Sequence, residues 1–189
     1  MKIVQSAKTS IILLATIWVA FLANFVIPYD LNRFGLVPRT MDGLWGILTM
    51  PFLHADFGHI CANSTALFVL MTISLSFSRK LTYISVPVII LLGGVLVWIF
   101  GSTANHIGAS GLVFGLVGYL LFMGFLRKEW IALIVSIAVF VLYGGVLFSL
   151  LVVEKNVSWA GHANGFIAGI VAAFLTRNSE AENENGIKD

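Results

Sequence analysis

The sequence predicts an all-α polytopic membrane protein, a bundle of six transmembrane helices. Three observations carry that prediction. Of 189 residues, 59% are hydrophobic and 11% are charged, with a mean hydropathy of +0.97. A soluble domain carries roughly a quarter charged residues. Apolar runs of about twenty residues recur along the chain, each long enough to cross a hydrocarbon core of roughly 30 Å. No polar block is long enough to fold separately, so residues 1–176 read as one six-span domain and 177–189 as a polar cytoplasmic tail.

The same numbers exclude other classes. A net charge of +2, scattered between apolar runs, gives no surface for nucleic acid, and the lipid bilayer is the expected environment. The single Cys61 cannot form an internal disulfide and reads as a small apolar filler.

The elements follow in order. Lys2 and Lys8 precede an apolar run from about Thr9 to Pro28. It is too long for a signal sequence and lacks a small-residue cleavage site after it, so it reads as a retained first span. Tyr29 to Phe57 is a long polar interruption with Asp30, Arg33, Arg39, Asp42 and Asp56. It also holds Leu44-Trp45-Gly46-Ile47-Leu48 and Met50-Pro51-Phe52-Leu53, a half-apolar composition suited to the bilayer interface. Spans two to four are expected at about Gly58–Phe77, Leu81–Phe100 and Ala109–Leu126. The fifth is expected at about Trp130–Val152 and the sixth, after Glu154 and Lys155, at about Val157–Leu175. The acidic tail beyond Arg177 is expected to be disordered.

Basic residues set the orientation. With the N-terminus inside, Lys2, Lys8, Arg79, Lys80, Arg127, Lys128, Arg177 and Lys188 face the cytoplasm, and only Arg33, Arg39 and Lys155 lie outside. Both termini are therefore expected to be cytoplasmic.

In this topology the second, fourth and sixth spans all enter from the outer face. His59 and Asn63 lie in the first turns of the second, on one face because they are four residues apart. Ser110 opens the fourth. His162 lies about five residues into the sixth, roughly 7–8 Å deep at 1.5 Å per residue. Intramembrane polar side chains mark functional sites, and here four from three spans share the outer third, whereas the inner halves read as almost wholly apolar. Gly111, Gly115 and Gly118 stack behind Ser110, and Gly161, Gly165 and Gly169 line the stretch holding His162. Small faces of that kind let two membrane helices approach closely.

A serine and a histidine on two such helices suit a nucleophile and its base. His59, Asn63 and the Ser110 backbone N–H suit donors to an oxyanion. No Asp or Glu lies within any span to orient His162, so the expectation is a dyad. Taken singly, each residue has a plainer reading. Ser110 could cap or pack a helix, His162 could be a satisfied interfacial histidine, and His59 with Asn63 could tie down the outer loop. His54 and His106 read as structural residues of loops near the surface.

The segments His54-Ala55-Asp56-Phe57-Gly58-His59-Ile60-Cys61-Ala62-Asn63, Gly108-Ala109-Ser110-Gly111 and Gly161-His162-Ala163-Asn164-Gly165 resemble the rhomboid family of intramembrane serine proteases. Their order, spacing and placement match the family's six-span core over nearly the whole chain. The resemblance implies Ser110 as nucleophile, His162 as general base, His59 and Asn63 with Ser110 as the oxyanion hole, and His54, Gly108 and Gly111 as supports. It implies transmembrane protein substrates cut near the outer ends of their helices, with no metal or cofactor. It also implies lateral entry of substrate past the fifth span, beneath a capping loop. The chain resembles the minimal bacterial form, which points to an inner (plasma) membrane. Two positions depart from the family. Trp45 is followed by Gly46 rather than Arg, so a guanidinium that anchors the outer loop is missing, and Leu75-Ser76-Phe77-Ser78-Arg79 lacks a Glu near the inner end of the second span.

Three rivals remain on the sequence. A non-catalytic rhomboid-like binder of membrane helices leaves Ser110 and His162 together unexplained. A small transporter or channel needs polar groups along a path to the inner face. Haem held by His59 and His162 would give a visible spectrum.

Overall fold

The computed structural model describes residues 2–148 and 158–179, with the backbone alone at 146–148. The expected end of the fifth span at Val152, the Glu154 and Lys155 loop, the start of the sixth at Val157 and the tail from Glu180 lie outside the described residues. The helices are α1 (Lys2–Val26), α2 (Gly46–Thr49), α3 (Phe57–Phe77), α4 (Arg79–Phe100), α5 (Ser110–Arg127), α6 (Trp130–Phe148) and α7 (Trp159–Thr176). Among the described residues the only β pairing is an isolated antiparallel bridge between Leu36 and His106. The protein is a polytopic bundle of α-helices. By length and composition α1, α3, α4, α5 and α7 can each cross a membrane, and α6 adds a shorter apolar stretch, Trp130–Gly145.

These helices correspond to the six expected spans, with one boundary among the described residues moved. α1 begins at Lys2, well before the apolar run at Thr9, because Lys and Gln are good helix formers and hydropathy does not register them. Local capping explains the other ends. Asp56 accepts a hydrogen bond from the His59 N–H at 2.8 Å and opens α3. Ser78 serves two helices: its N–H closes α3 on the Ser74 carbonyl, and its hydroxyl accepts from the Leu81 N–H at the start of α4. Ser158 caps α7 by accepting from the Gly161 N–H at 3.0 Å.

α5 runs through the middle of the bundle and is buried along most of its length, packed by α7, α6, α3 and α4. Its closest neighbour is α7, and glycine sets the approach. A Cβ at Gly165 would collide with the Gly111 carbonyl oxygen, and one at Gly169 with the Gly115 carbonyl oxygen. The two backbones therefore touch directly, as the sequence pattern anticipates. α1 packs mainly on α3 and leaves Ile11, Ile12, Val19, Leu22 and Phe25 exposed, a surface suited to lipid.

The segment before α3 folds onto the Ser110 end of the bundle. Leu36 exchanges both backbone hydrogen bonds with His106, at 2.9 and 2.8 Å, and is fully buried. Trp98 Nε1 donates to the Thr40 carbonyl at 2.9 Å. Arg39, at φ 60°, donates from one guanidinium nitrogen to the carbonyls of Ile99 and Gly101, at 3.1 and 2.8 Å. The expectation of a missing loop anchor is thus corrected. A guanidinium six residues before Trp45 caps the C-terminus of α4, where a positive charge meets orphaned carbonyls and the negative end of the dipole.

A second correction concerns the end opposite Ser110, which is not wholly apolar. Thr72 of α3 donates to Ser10 of α1 at 3.0 Å, and Ser74 shares a hydrogen bond with Thr82 of α4 at 2.8 Å. Ser85 and Thr176 bond carbonyls of their own helices. The residues look apolar in aggregate because isolated Ser and Thr barely lower the mean hydropathy of a span. These hydroxyls satisfy one another or the backbone, and Leu67, Leu70, Leu116 and Leu120 separate them from the Ser110 end, so they do not form a polar path.

Gly165→Ala and Gly169→Ala are each expected to unfold the bundle or cost several kcal/mol, since backbone cannot move aside as a side chain can. Gly145→Ala, where an added Cβ meets nothing within 4 Å, is expected to be neutral or slightly stabilising. Thermal unfolding of the three variants in one detergent checks the contrast.

Candidate active site

The site is built from four pieces of chain at one end of the bundle. The first is His54, just ahead of α3 and only 2% exposed. Its Nε2 lies 3.1 Å from Asn63 Nδ2 and accepts from the Ala109 N–H at 3.4 Å. Two donors on Nε2 require the neutral ring with its proton on Nδ1. Nδ1 is buried near the Phe52 carbonyl but outside hydrogen-bond geometry. Burial, reinforced by neighbouring His59, lowers the His54 pKa from 6.5 to about 4, against smaller opposing effects of the Phe52 carbonyl and Asp56. His54 was expected in a loop near the surface; it is instead a buried pin between α3 and the residue before Ser110.

The second piece is the first two turns of α3. The His59 ring lies 4.9 Å from that of His54. Asn63, 8% exposed, gives one amide hydrogen to His54 and keeps a second.

The third is the entry to α5. Gly108 has φ +114°, a conformation other residues rarely adopt, and its N–H donates to the Met50 carbonyl at 2.9 Å. A Cβ there would sit 2.7 Å from the His59 ring and 3.5 Å from Asn63 Nδ2. Glycine therefore lets this turn lie flat against His59 and Asn63, two residues before Ser110. Ser110 is half-buried and is the first residue of α5.

The fourth is His162 of α7, 8% exposed, whose ring stacks on Phe114 at 4.1 Å and 15°. Phe114 is one turn after Ser110 on the same face of α5, and its side chain leans back toward Ser110. His162 is thereby held on the Ser110 face. Among the described residues no hydrogen bond joins the ring to Ser110, and His162 Nδ1 is buried without a partner. Phe114 was not singled out in the sequence, although its i+4 spacing from Ser110 was the available signal. No group of three His, Cys, Asp or Glu suited to a metal ion occurs among the described residues.

His106 was also expected near the surface, yet it is 3% exposed. Its Nδ1 lies 2.6 Å from the Ser158 hydroxyl and its Nε2 3.0 Å from the Ser102 carbonyl. With the proton on Nε2, the ring donates to Ser102 and accepts from Ser158, which itself caps α7. One side chain thus ties the loop leading to Ser110 to the start of the helix carrying His162. Nothing in local sequence marks a contact across 52 residues.

Fold and site together define a polytopic helical membrane protein with Ser, His and Asn side chains gathered at one end of a glycine-packed helix pair. A family model described as Rhomboid domain matches residues 41–179, and the chain belongs to the rhomboid family. Uncharacterised proteins of Mycobacterium tuberculosis and Mycobacterium bovis are each 38% identical over 157 residues, covering 77% of this chain and 64% of theirs. A Bacillus subtilis protein named provisionally as a rhomboid protease, YdcA, is 28% identical over 142 residues, covering 69% of this chain and 66% of its own. The chain therefore spans a little under two thirds of these two mycobacterial relatives.

Two outcomes follow from the buried imidazoles. Above about pH 6.5 His54 is neutral in both folded and unfolded chains. As pH falls toward 4, only the unfolded chain takes up the proton, so stability declines across that window by about 2–3 kcal/mol. Denaturation in detergent at pH 7 and pH 4.5, with His54→Gln losing this contribution to the slope, tests it. Ser158→Ala removes both the α7 cap and the partner of His106, and is expected to cost about 1–2 kcal/mol in the same assay.

Proposed function

We propose that this protein is an intramembrane serine protease that hydrolyses peptide bonds in or near the transmembrane segments of other membrane proteins. The observation that supports the reading is the stacking of His162 on Phe114, one helical turn after Ser110 on α5. In this mechanism Ser110 Oγ attacks the scissile carbonyl carbon while its proton passes to His162 Nε2. The oxyanion that forms accepts hydrogen bonds from the second Asn63 amide hydrogen, from His59 and from the Ser110 N–H. The His162 imidazolium protonates the departing amine, and water then hydrolyses the acyl-enzyme with His162 again as base. The Phe114 face takes over the orienting role that a carboxylate has in a triad, without adding charge.

Residues 1–176 form the membrane domain in this reading, and 177–189 the polar tail. Both termini face the cytoplasm of a bacterial cell, and the site lies near the outer face of the inner membrane, within reach of water. A helical carbonyl is hydrogen-bonded and must be freed before attack. Preferred substrates therefore carry Gly, Pro or other weak helix formers near the cut.

The absence of a Ser110–His162 hydrogen bond favours one alternative, a non-catalytic binder of membrane helices. In proteases without substrate that bond is often long and tightens only on binding. Cleavage of a tagged membrane segment in liposomes distinguishes the two. Wild type is expected to cleave and Ser110→Ala and His162→Ala to be inactive but folded. Asn63→Ala is expected to lose on the order of 10–1000-fold in turnover. Full activity of Ser110→Ala would remove the nucleophile, and failure of wild type both to cleave and to react at Ser110 with a fluorophosphonate would leave the binder.

A further inference from the structure

At the end of the bundle opposite Ser110, the first turns of α1 meet the junction of α3 and α4. Lys2, Gln5 and Ser6 face Leu75–Arg79 across an open cleft of about 30 Å³. Three buried polar atoms of that lining, Ser6 Oγ, Ser76 Oγ and Arg79 Nη2, have no hydrogen-bond partner among the described residues. Ser6 is 1% exposed and lines the cleft, so its hydroxyl is a buried donor in the cleft wall. Such groups are costly unless something bonds them.

The charge balance of the described helices narrows what that partner is. No Asp or Glu occurs in residues 1–29 or 57–128, so α1, α3, α4 and α5 offer Arg79 no carboxylate. Glu129, the next acid along the chain, is paired with Arg127 at 2.8 Å. The N-terminus of α4 starts at Arg79 and adds backbone N–H groups and the positive end of its dipole. A guanidinium fork, two hydroxyl donors and a helix N-terminus are a donor set for tetrahedral oxyanions.

We propose that this cleft binds a phosphoryl oxyanion, the group carried by a phospholipid headgroup and by free phosphate. One oxygen-sized group needs roughly 10–15 Å³ of such volume, so the cleft admits about two phosphoryl oxygens and leaves the ester arm outside. The cleft lies where α3 ends and α4 begins, the level at which lipid phosphates meet the ends of spans. The site is independent of the proposed chemistry at Ser110.

The test uses the full chain, purified in detergent and stripped of lipid. Phosphatidylglycerol and diacylglycerol are titrated by native mass spectrometry, and inorganic phosphate by calorimetry. Phosphatidylglycerol is expected to bind and diacylglycerol not to. Arg79→Gln and the milder Ser6→Ala are each expected to weaken binding on the order of tenfold. Lys8→Gln, which removes an equal charge from an exposed position outside the cleft, is expected to change it less than about twofold. Binding of inorganic phosphate without phosphatidylglycerol would keep the phosphoryl site and make free phosphate its source. Equal binding of diacylglycerol, equal loss in Lys8→Gln and Arg79→Gln, or no binding of either phosphate compound would overturn the proposal. So would phosphatidylglycerol binding that appears only after deletion of residues 180–189, which would make the acidic tail the occupant.

Discussion

The direct backbone contact between α5 and α7 is the constraint on which the rest of the structure depends. Gly165 lies against the Gly111 carbonyl and Gly169 against that of Gly115, leaving no room for a side chain at either level. In lipid there is little hydrophobic drive to bring two apolar helices together, so close van der Waals packing must do it. The register that follows is tight. It puts His162, one position past Gly161, over Phe114 and therefore beside the first turn of α5.

That register is braced from outside the membrane-length helices. The segment before α3 is held by paired backbone bonds at Leu36, by Arg39 on the end of α4 and by the Met50 carbonyl on Gly108. His54 and His106 complete the brace from opposite sides. One bonds Asn63 and the backbone ahead of Ser110; the other bonds the cap of α7. Both are buried connectors, and at His54 burial lowers the pKa and so favours the neutral ring. The four histidines thus differ in what each touches: His54 and His106 tie segments together, His162 stacks on Phe114 and His59 lies against His54.

Both ends of the bundle hold buried polar groups. At the far end Ser10, Thr72, Ser74, Thr82 and Ser85 pair with one another or with their own helices, which stabilises helix contacts, whereas Ser6 and Ser76 keep hydroxyls without a partner among the described residues. At the Ser110 end, polar atoms are left with spare capacity: a second Asn63 hydrogen and an unpaired His162 Nδ1. Unpartnered buried polar atoms thus occur at both ends, in the cleft of Ser6, Ser76 and Arg79 and where Ser110, His59, Asn63 and His162 gather.

Much of this was legible in residue order. The membrane class, the six helical runs and the glycine faces follow from composition and 3.6-residue periodicity, because both depend only on near neighbours in the chain. The positions of Ser110, His59, Asn63 and His162 at one end follow from counting residues into each span. Residue order is therefore enough to tell which residues are apolar, where helices run and which polar side chains gather at one end. The tertiary structure alone decided what each polar atom touches: Arg39 capping α4, His54 turned inward, His106 reaching Ser158, Phe114 under His162, and hydroxyl pairs hidden at the far end. The physical reason is that hydrogen bonds and ring stacking act over 3–4 Å and depend on direction, and those directions are set only when helices distant in sequence have packed.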